Sequence, residues 1–508
     1  MKSIEHGIFQ GPLKLNDRKR HIFRAPLVLT LIGSFGGTAL AQDAQDCQAL
    51  RNHVMDGAYV TSARVMTTDT GVEYCEVRTT ALPSISIEVR LPLNKWNHKF
   101  YQVGCGGFCG DLGRADKKKR FVNAMEPGLV MRYATATSDS GHHGLDITDA
   151  SWAYNNPPAE RDWGWRSIGE TNRIALSLLD AFYDEKPENS YFQGCSTGGR
   201  LAAMAALKYP KMFNGIIAGA PALDYTGLVA TNFAWLIQAN TDQNGETILK
   251  PGKDGLISAE VMKQCDTEDG GKDGIIADPR RCAVDLSVLK CQANQKGETC
   301  LTAAELAVIE KWRQGPQNQA GEQLYPGGIP EGSERFWWLW LTGRSDGYGK
   351  LLSPFAKNFL AYMAFEDDPG PSYSPLDFDF DKDPQRLKAI AAIYNADQPD
   401  LTAFISAGGK MIVWHGWADA IVTPYKTIEW YEKLALNTGG EEILKKNVRL
   451  FMIPGTGHCG ILPDINGIDE KNLIVPILKS LEDWVEKGIA PQTILNPKIE
   501  HWFMTSNE

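Results

Sequence analysis

Beyond residue 40 the 508-residue chain has no apolar run long enough to cross a bilayer, no internal repeat and no low-complexity tract. It also lacks any surplus of positive charge. Lys and Arg number 52 against 62 Asp and Glu, for a formal net charge of −10. With no basic cluster in the body of the chain, a nucleic-acid partner is not expected, because duplex affinity rests mostly on neutralising phosphates. What is present describes a globular protein: 43% hydrophobic and 22% charged residues. Fourteen Trp and 49 Gly point to aromatic surfaces and many tight turns. The length suits two or three domains, or one large domain carrying an insertion.

Residues 1–41 read as a signal peptide. Lys14, Arg18, Lys19, Arg20 and Arg24 precede an apolar run from Ala25 to Leu40, and Ala39-Leu40-Ala41 offers a small-residue cleavage site before Gln42. A secreted or periplasmic chain with no membrane segment after cleavage is the expectation. All ten cysteines lie beyond this leader, and an even number in an exported chain reads as five disulfides.

Strand-like and helix-like stretches alternate from about Cys47 to Ala222. Ile85–Leu91 alternates at period two, Lys99–Val103 is a second strand, and Ser190–Gln193 and Gly215–Gly219 are two more. Helices are expected over Gly169–Tyr183 and Arg200–Tyr209. Between residues 223 and 398 the regular alternation stops and Pro, Gly and Cys punctuate the chain. It resumes with strands Lys410–Trp414 and Val448–Ile453 and helices Ile428–Leu436 and Leu473–Lys487. This order predicts an α/β fold with a parallel sheet between helices, formed by residues 42–222 and 399–508 and interrupted by a lid domain over 223–398.

Gly194-Cys195-Ser196-Thr197-Gly198 fits G-x-S-x-G between a strand and a helix, the setting of a nucleophile elbow. The turn needs small residues so that Ser196 is presented above the sheet, with the backbone N–H of Thr197 aimed at a developing oxyanion. A serine hydroxyl needs a base, and the base an orienting acid, which follow in the order Asp then His in this fold type. Asp419 follows one late strand and His458 the next. His415 precedes Asp419, the wrong order, and His142 and His143 either line the cleft or, as the favoured expectation, face solvent. Cys195 adjoins the nucleophile and Cys459 adjoins the base, so loops close enough for catalysis also bring these sulfurs close enough to bond.

The segments Gly194-Cys195-Ser196-Thr197-Gly198-Gly199-Arg200, His415-Gly416-x-x-Asp419 and His458-Cys459 resemble the Cys-Ser, Asp, His-Cys signature of the tannase and feruloyl esterase family. Bacterial mono(2-hydroxyethyl) terephthalate hydrolases share that signature. The resemblance extends from about Cys47 to Trp484. It implies an α/β-hydrolase core with a large lid, a Ser196–His458–Asp419 triad and action on small-molecule esters of aromatic acids. It also implies a second oxyanion donor from the loop Gly104–Gly110, assigned to Gly107 with Gly106 next. A peptidase, an acyltransferase or a non-catalytic calcium-stabilised binding protein are the alternatives.

Asp266, Asp269 and Asp273, with glycines between them, would repel one another without a cation, and hard Ca²⁺ takes such oxygen ligands. The spacing is not that of an EF-hand, but relatives carry a similar segment that holds calcium. The resemblance implies Asp266, Asp269, Asp273 and the carbonyls of Gly271 and Ile275 as ligands of a structural Ca²⁺, inside a loop closed by Cys265–Cys282. Cys291–Cys300 would close a smaller loop. Two pairings of the remaining four are open: Cys105 with Cys109, leaving Cys47 to Cys75, or a crossed arrangement. Phe336–Trp340, Trp235 and Phe233 suit an aromatic acyl group or a lid core equally, and Arg335 and Arg344 are read as surface ion pairs.

Overall fold

Nine strands form one sheet in a computed structural model that describes residues 44–112, 124–268, 270–293, 295, 297–461 and 470–494. The expected signal peptide and Asp269 lie outside the described residues. The strands are β1 (Ala58–Thr67), β2 (Glu73–Ala81), β3 (Ile85–Pro92), β4 (Lys99–Val103), β5 (Ala134–Ser138), β6 (Asn189–Cys195), β7 (Gly215–Gly219), β8 (Lys410–Gly416) and β9 (Val448–Ile453). Their order is β1-β2-β3-β5-β4-β6-β7-β8-β9.

The sheet is mixed, which corrects the parallel one expected. β4 to β9 pair in parallel, whereas β1–β2, β2–β3 and β3–β5 are antiparallel. Short turns join β1 to β2 and β2 to β3, and a short connection can only return a strand antiparallel. The parallel half needs crossovers, and helices lie in three of them: α1 (Ser167–Tyr183) before β6, α2 (Thr197–Lys208) before β7 and α3 (Pro424–Thr438) before β9, while α4 (Glu470–Lys487) follows β9 and packs back on the sheet.

Alternate side chains of the central strands enter two separate cores. Ile216, Met411 and Val413 pack with α2, while Ile217, Ile412 and Trp414 pack with Ile477, Leu478, Leu481 and Trp484 of α4. Both faces being covered explains why β7 is buried at every position. Helix α2 is alanine-rich, and those small side chains let it lie close against β6 and β7.

Residues 220–409 connect β7 to β8. The described part of this insertion is helical and irregular, with isolated bridges in place of strands. Its two ends meet: the Ala396 N–H donates to the Leu223 carbonyl at 2.8 Å, and Asn395 Nδ2 donates to Asp224 Oδ1 at 2.7 Å. Among the described residues no helix is long and apolar enough to cross a membrane.

Candidate active site

Ser196 stands between β6 and α2 with φ 63° and ψ −123°, a backbone region that non-glycine residues seldom occupy. Tight packing imposes it. A Cβ at Gly194 would lie 2.3 Å from the Gly198 carbonyl carbon and oxygen, so only glycine lets the strand turn so sharply into the helix. The Ser196 N–H donates to the Gly219 carbonyl at 3.0 Å, fixing the turn to β7. Thr197 opens α2, where a first-turn amide has no partner within the helix.

Beneath the turn, Arg200 is fully buried. Its Nη1 donates to the carbonyls of Gly164 and Tyr394 at 2.8 and 3.0 Å, and its guanidinium lies 4.1 Å from the Trp163 ring centroid. Burial pushes its guanidinium down to about 10. It thus ties the helix of the elbow to the segment that ends the insertion, a role the sequence alone did not signal.

Asp419 and His458 come from the ends of β8 and β9. His458 Nδ1 lies 2.7 Å from Asp419 Oδ2, and the Asp419 side chain is wholly buried. The amides of Ile421 and Val422 donate to Asp419 Oδ1 at 3.0 Å each. Burial opposes ionisation of Asp419. The His458 charge and the hydrogen bonds from His415 and His458 outweigh it and hold the carboxyl well below the usual carboxylate range.

Cys195 and Cys459 are bonded, with Cα atoms 5.8 Å apart across a separation of 264 residues. Cys459 Sγ lies 3.6 Å from His458 Nε2, so the imidazole's outer nitrogen faces the disulfide that adjoins Ser196. The edge of the His458 ring meets Trp340 at 5.4 Å and 89°. The remaining pairs are Cys47–Cys75, Cys105–Cys109, Cys265–Cys282 and Cys291–Cys300.

His415 belongs to the site although its place in the order set it aside. It is buried at the end of β8, with Nε2 2.8 Å from the Val422 carbonyl and 3.3 Å from Asp419 Oδ2. The carbonyl requires the proton on Nε2, so the Thr427 hydroxyl donates to Nδ1 at 2.9 Å. Its spacing of four residues from Asp419 was the available signal. His142 corrects the solvent-facing expectation: it is buried, stacked 3.7 Å from Trp152, and burial pushes its imidazole down to about 3. His143 is exposed.

The loop after β4 lies against the elbow, since a Cβ at Gly198 would sit 3.1 Å from the carbonyls of Gly104 and Cys105. Gly107 is two residues further on, at φ +58°, and presses on the backbone of Ile147. Phe108, the next residue, stacks among Phe355, Phe359 and Tyr225 of the insertion. Of the other aromatics, Phe336, Trp337 and Phe233 are buried, Trp338 is half-buried beside Tyr348, and Trp235 Nε1 donates to the Lys311 carbonyl. Arg344 pairs with Asp346 at 3.1 Å, as a surface pair would. Arg335 corrects its expectation: Nη2 donates to the Gly274 carbonyl at 2.9 Å.

That carbonyl belongs to the acidic loop. Asp266 is buried, and its Oδ1 accepts the amides of Gly274 and Ile275 at 2.6 and 3.2 Å, so the chain curls back around it. Asp273 Oδ1 accepts the Ile275 amide at 3.0 Å. Among the described residues no cationic side chain pairs with Asp266 or Asp273, and no three acidic, His or Cys side chains are gathered for a metal. Asp266 and Asp273 both accept the Ile275 amide, which places two carboxylates, the ligand type that hard cations take, on one turn.

A sequence profile described as tannase and feruloyl esterase matches residues 63–501. The chain belongs to that family. It is 32% identical over 463 residues to an uncharacterized esterase of Xanthomonas campestris, covering 84% of this chain and 77% of the relative. It is 29% identical over 482 residues to the mono(2-hydroxyethyl) terephthalate hydrolase of Piscinibacter sakaiensis, covering 83% and 78%. The crystal structure of feruloyl esterase B from Aspergillus oryzae superposes with a TM-score of 0.76 at 24% identity, covering 89% of this chain and 92% of that one. The fold is therefore that of an α/β-hydrolase, and the tannase and feruloyl esterase relationship makes the protein a carboxylic ester hydrolase.

Proposed function

We propose that the protein is a secreted or periplasmic serine esterase that cleaves esters of aromatic acids through an acyl-enzyme. The observation that carries this reading is the bond between Cys195 and Cys459, next to an imidazole held 2.7 Å from a buried carboxylate. In this reading Ser196 Oγ attacks the ester carbonyl while His458 Nε2 takes its proton, and Asp419 orients the imidazole. The amides of Thr197 and Gly107 receive the oxyanion. The alcohol leaves with the proton from His458, and water then attacks the acyl group with His458 again as base. Five disulfides and the basic-then-apolar leader support export.

The acyl group is assigned to the feruloyl, galloyl or terephthaloyl class, supported by family membership and by the Trp340 ring against His458. Turnover of methyl ferulate, methyl gallate and mono(2-hydroxyethyl) terephthalate, alongside matched aliphatic esters and amides, tests it. At least one aromatic ester is expected to be cleaved at least tenfold faster than its aliphatic match. A fluorophosphonate probe is expected to label the wild type and not Ser196→Ala. Labelling of both, or none of either, would remove the serine mechanism.

Ca²⁺ is proposed as a structural ion held by Asp266, Asp269, Asp273 and the carbonyls of Gly271 and Ile275. It would neutralise the loop and takes no part in bond breaking. A hundredfold excess over its dissociation constant is expected to stabilise the fold by ~2.7 kcal/mol. Thermal unfolding with chelator and after added Ca²⁺ measures this, and an unchanged melting midpoint would discard the site.

A further inference from the structure

We propose that the disulfide-closed loop 265–282 positions the two loops that carry Asp419 and His458, with Ile275 and Arg280 as its points of contact. The inference rests on the triad assigned above and concerns residues outside that triad.

On the base side, a Cβ at Gly455 would lie 2.9 Å from Ile275 Cγ2, so the isoleucine side chain sits directly on the backbone three residues before His458. On the acid side, the Arg280 guanidinium lies 4.9 Å from the ring centroid of Trp417, two residues before Asp419. Asp278 holds that guanidinium in place, with Nε to Oδ1 at 2.9 Å and Nη2 to Oδ2 at 2.6 Å. Trp417 is itself buried against Ile428 and Met452.

The two gripped loops are also bonded to each other. The Trp417 amide donates to the Ile453 carbonyl at 2.8 Å, and the Ala418 amide to the Thr456 carbonyl at 3.0 Å. A second support joins the same loop to the base. Arg335 donates to the Gly274 carbonyl, and its neighbour Phe336 lies against Gly457, where a Cβ would meet the ring at 3.0 Å. Cys265–Cys282 closes the segment that makes these contacts. A loop pinned at its ends and touching both catalytic loops restricts the separation of carboxylate and imidazole. A misplacement of about 1 Å in such a pair costs on the order of a hundredfold in rate.

The test is the double variant Ile275→Ala/Arg280→Met, assayed on whichever aromatic ester the wild type cleaves. kcat is expected to fall roughly ten- to a hundredfold with KM changed less than about threefold. The downfield proton NMR signal of the His458 Nδ1–H, read in ligand-free protein, is expected to shift or broaden. Ile275→Val with Arg280→Lys is expected to recover most of both. Wild-type kcat and an unmoved proton signal in the folded double variant would overturn the inference. If the double variant does not fold, Arg280→Met alone decides by the same two readouts, because its side chain is 40% exposed. Ser196→Ala is run beside them. Its loss of turnover with an unaffected double variant removes this inference alone, whereas its retention of turnover removes the serine reading.

Discussion

Asp419→Asn is expected to lower kcat by about four orders of magnitude while leaving KM nearly unchanged, the size of loss that follows when a triad acid becomes an amide. The carboxylate accepts from four directions: two backbone amides on Oδ1 and the imidazoles of His458 and His415 on Oδ2. An asparagine can keep its oxygen on the amides only by turning its NH₂ toward His458. That group donates to Nδ1 and drives the ring proton to Nε2, where it blocks removal of the serine proton. Steady-state kinetics on an aromatic ester measure the loss, and a variant retaining a tenth of wild-type turnover would unseat Asp419.

The same substitution has a pH signature in stability. The folded-state carboxyl is held well below its unfolded value, so its contribution is present above the unfolded value of about 3.9 and vanishes as pH falls further. The gap in melting midpoint between wild type and Asp419→Asn is therefore expected to be full at neutral pH and to narrow in acid. A gap that widens in acid would reverse the assigned sign.

The second large effect concerns the bond between the catalytic loops. Cys195→Ser/Cys459→Ser opens a loop spanning 264 residues, for which the chain-entropy account gives on the order of 5 kcal/mol at the upper end. Against a whole-protein stability of roughly 5–15 kcal/mol, that is a large fraction. The variant is expected to melt well below wild type. It should also lose most of its turnover at temperatures where its far-ultraviolet circular dichroism is unchanged, because the loops bearing Ser196 and His458 are no longer joined. Full activity in the folded double variant would show the bond to be dispensable for catalysis. The variant is a cleaner test than a reductant, which would open the other four bonds as well.

Where strong alternation or a strong apolar run marks an element, residues alone sufficed: β7 and β9 lie over the ranges read from the sequence. β5 escaped notice because Ala-Thr-Ala-Thr-Ser is small and buried on both faces, leaving little hydrophobic contrast. β1 is an edge strand with four of its ten residues exposed and one buried, and its polarity resembles that of a loop. The antiparallel half of the sheet depends on partners that local patterns do not specify.

At the site, the meeting of the two loops was legible because two cysteines adjoin the serine and the histidine. What surrounds them was not. His142 stacks on Trp152 and His415 braces Asp419 through contacts that only the folded chain creates. Arg335 looked like one more surface cation, yet it serves a carbonyl in the acidic loop.

The insertion leaves and re-enters the sheet at one place, where Leu223 and Ala396 share a hydrogen bond. Closing a chain whose ends already meet has an entropy cost that grows only with the logarithm of its length. Segments of very different size can therefore be exchanged at this junction as cassettes, while the strands beneath keep their register. Any such exchange must still supply the contacts that Ile275, Arg280, Phe336 and Trp340 make with the loops bearing Asp419 and His458.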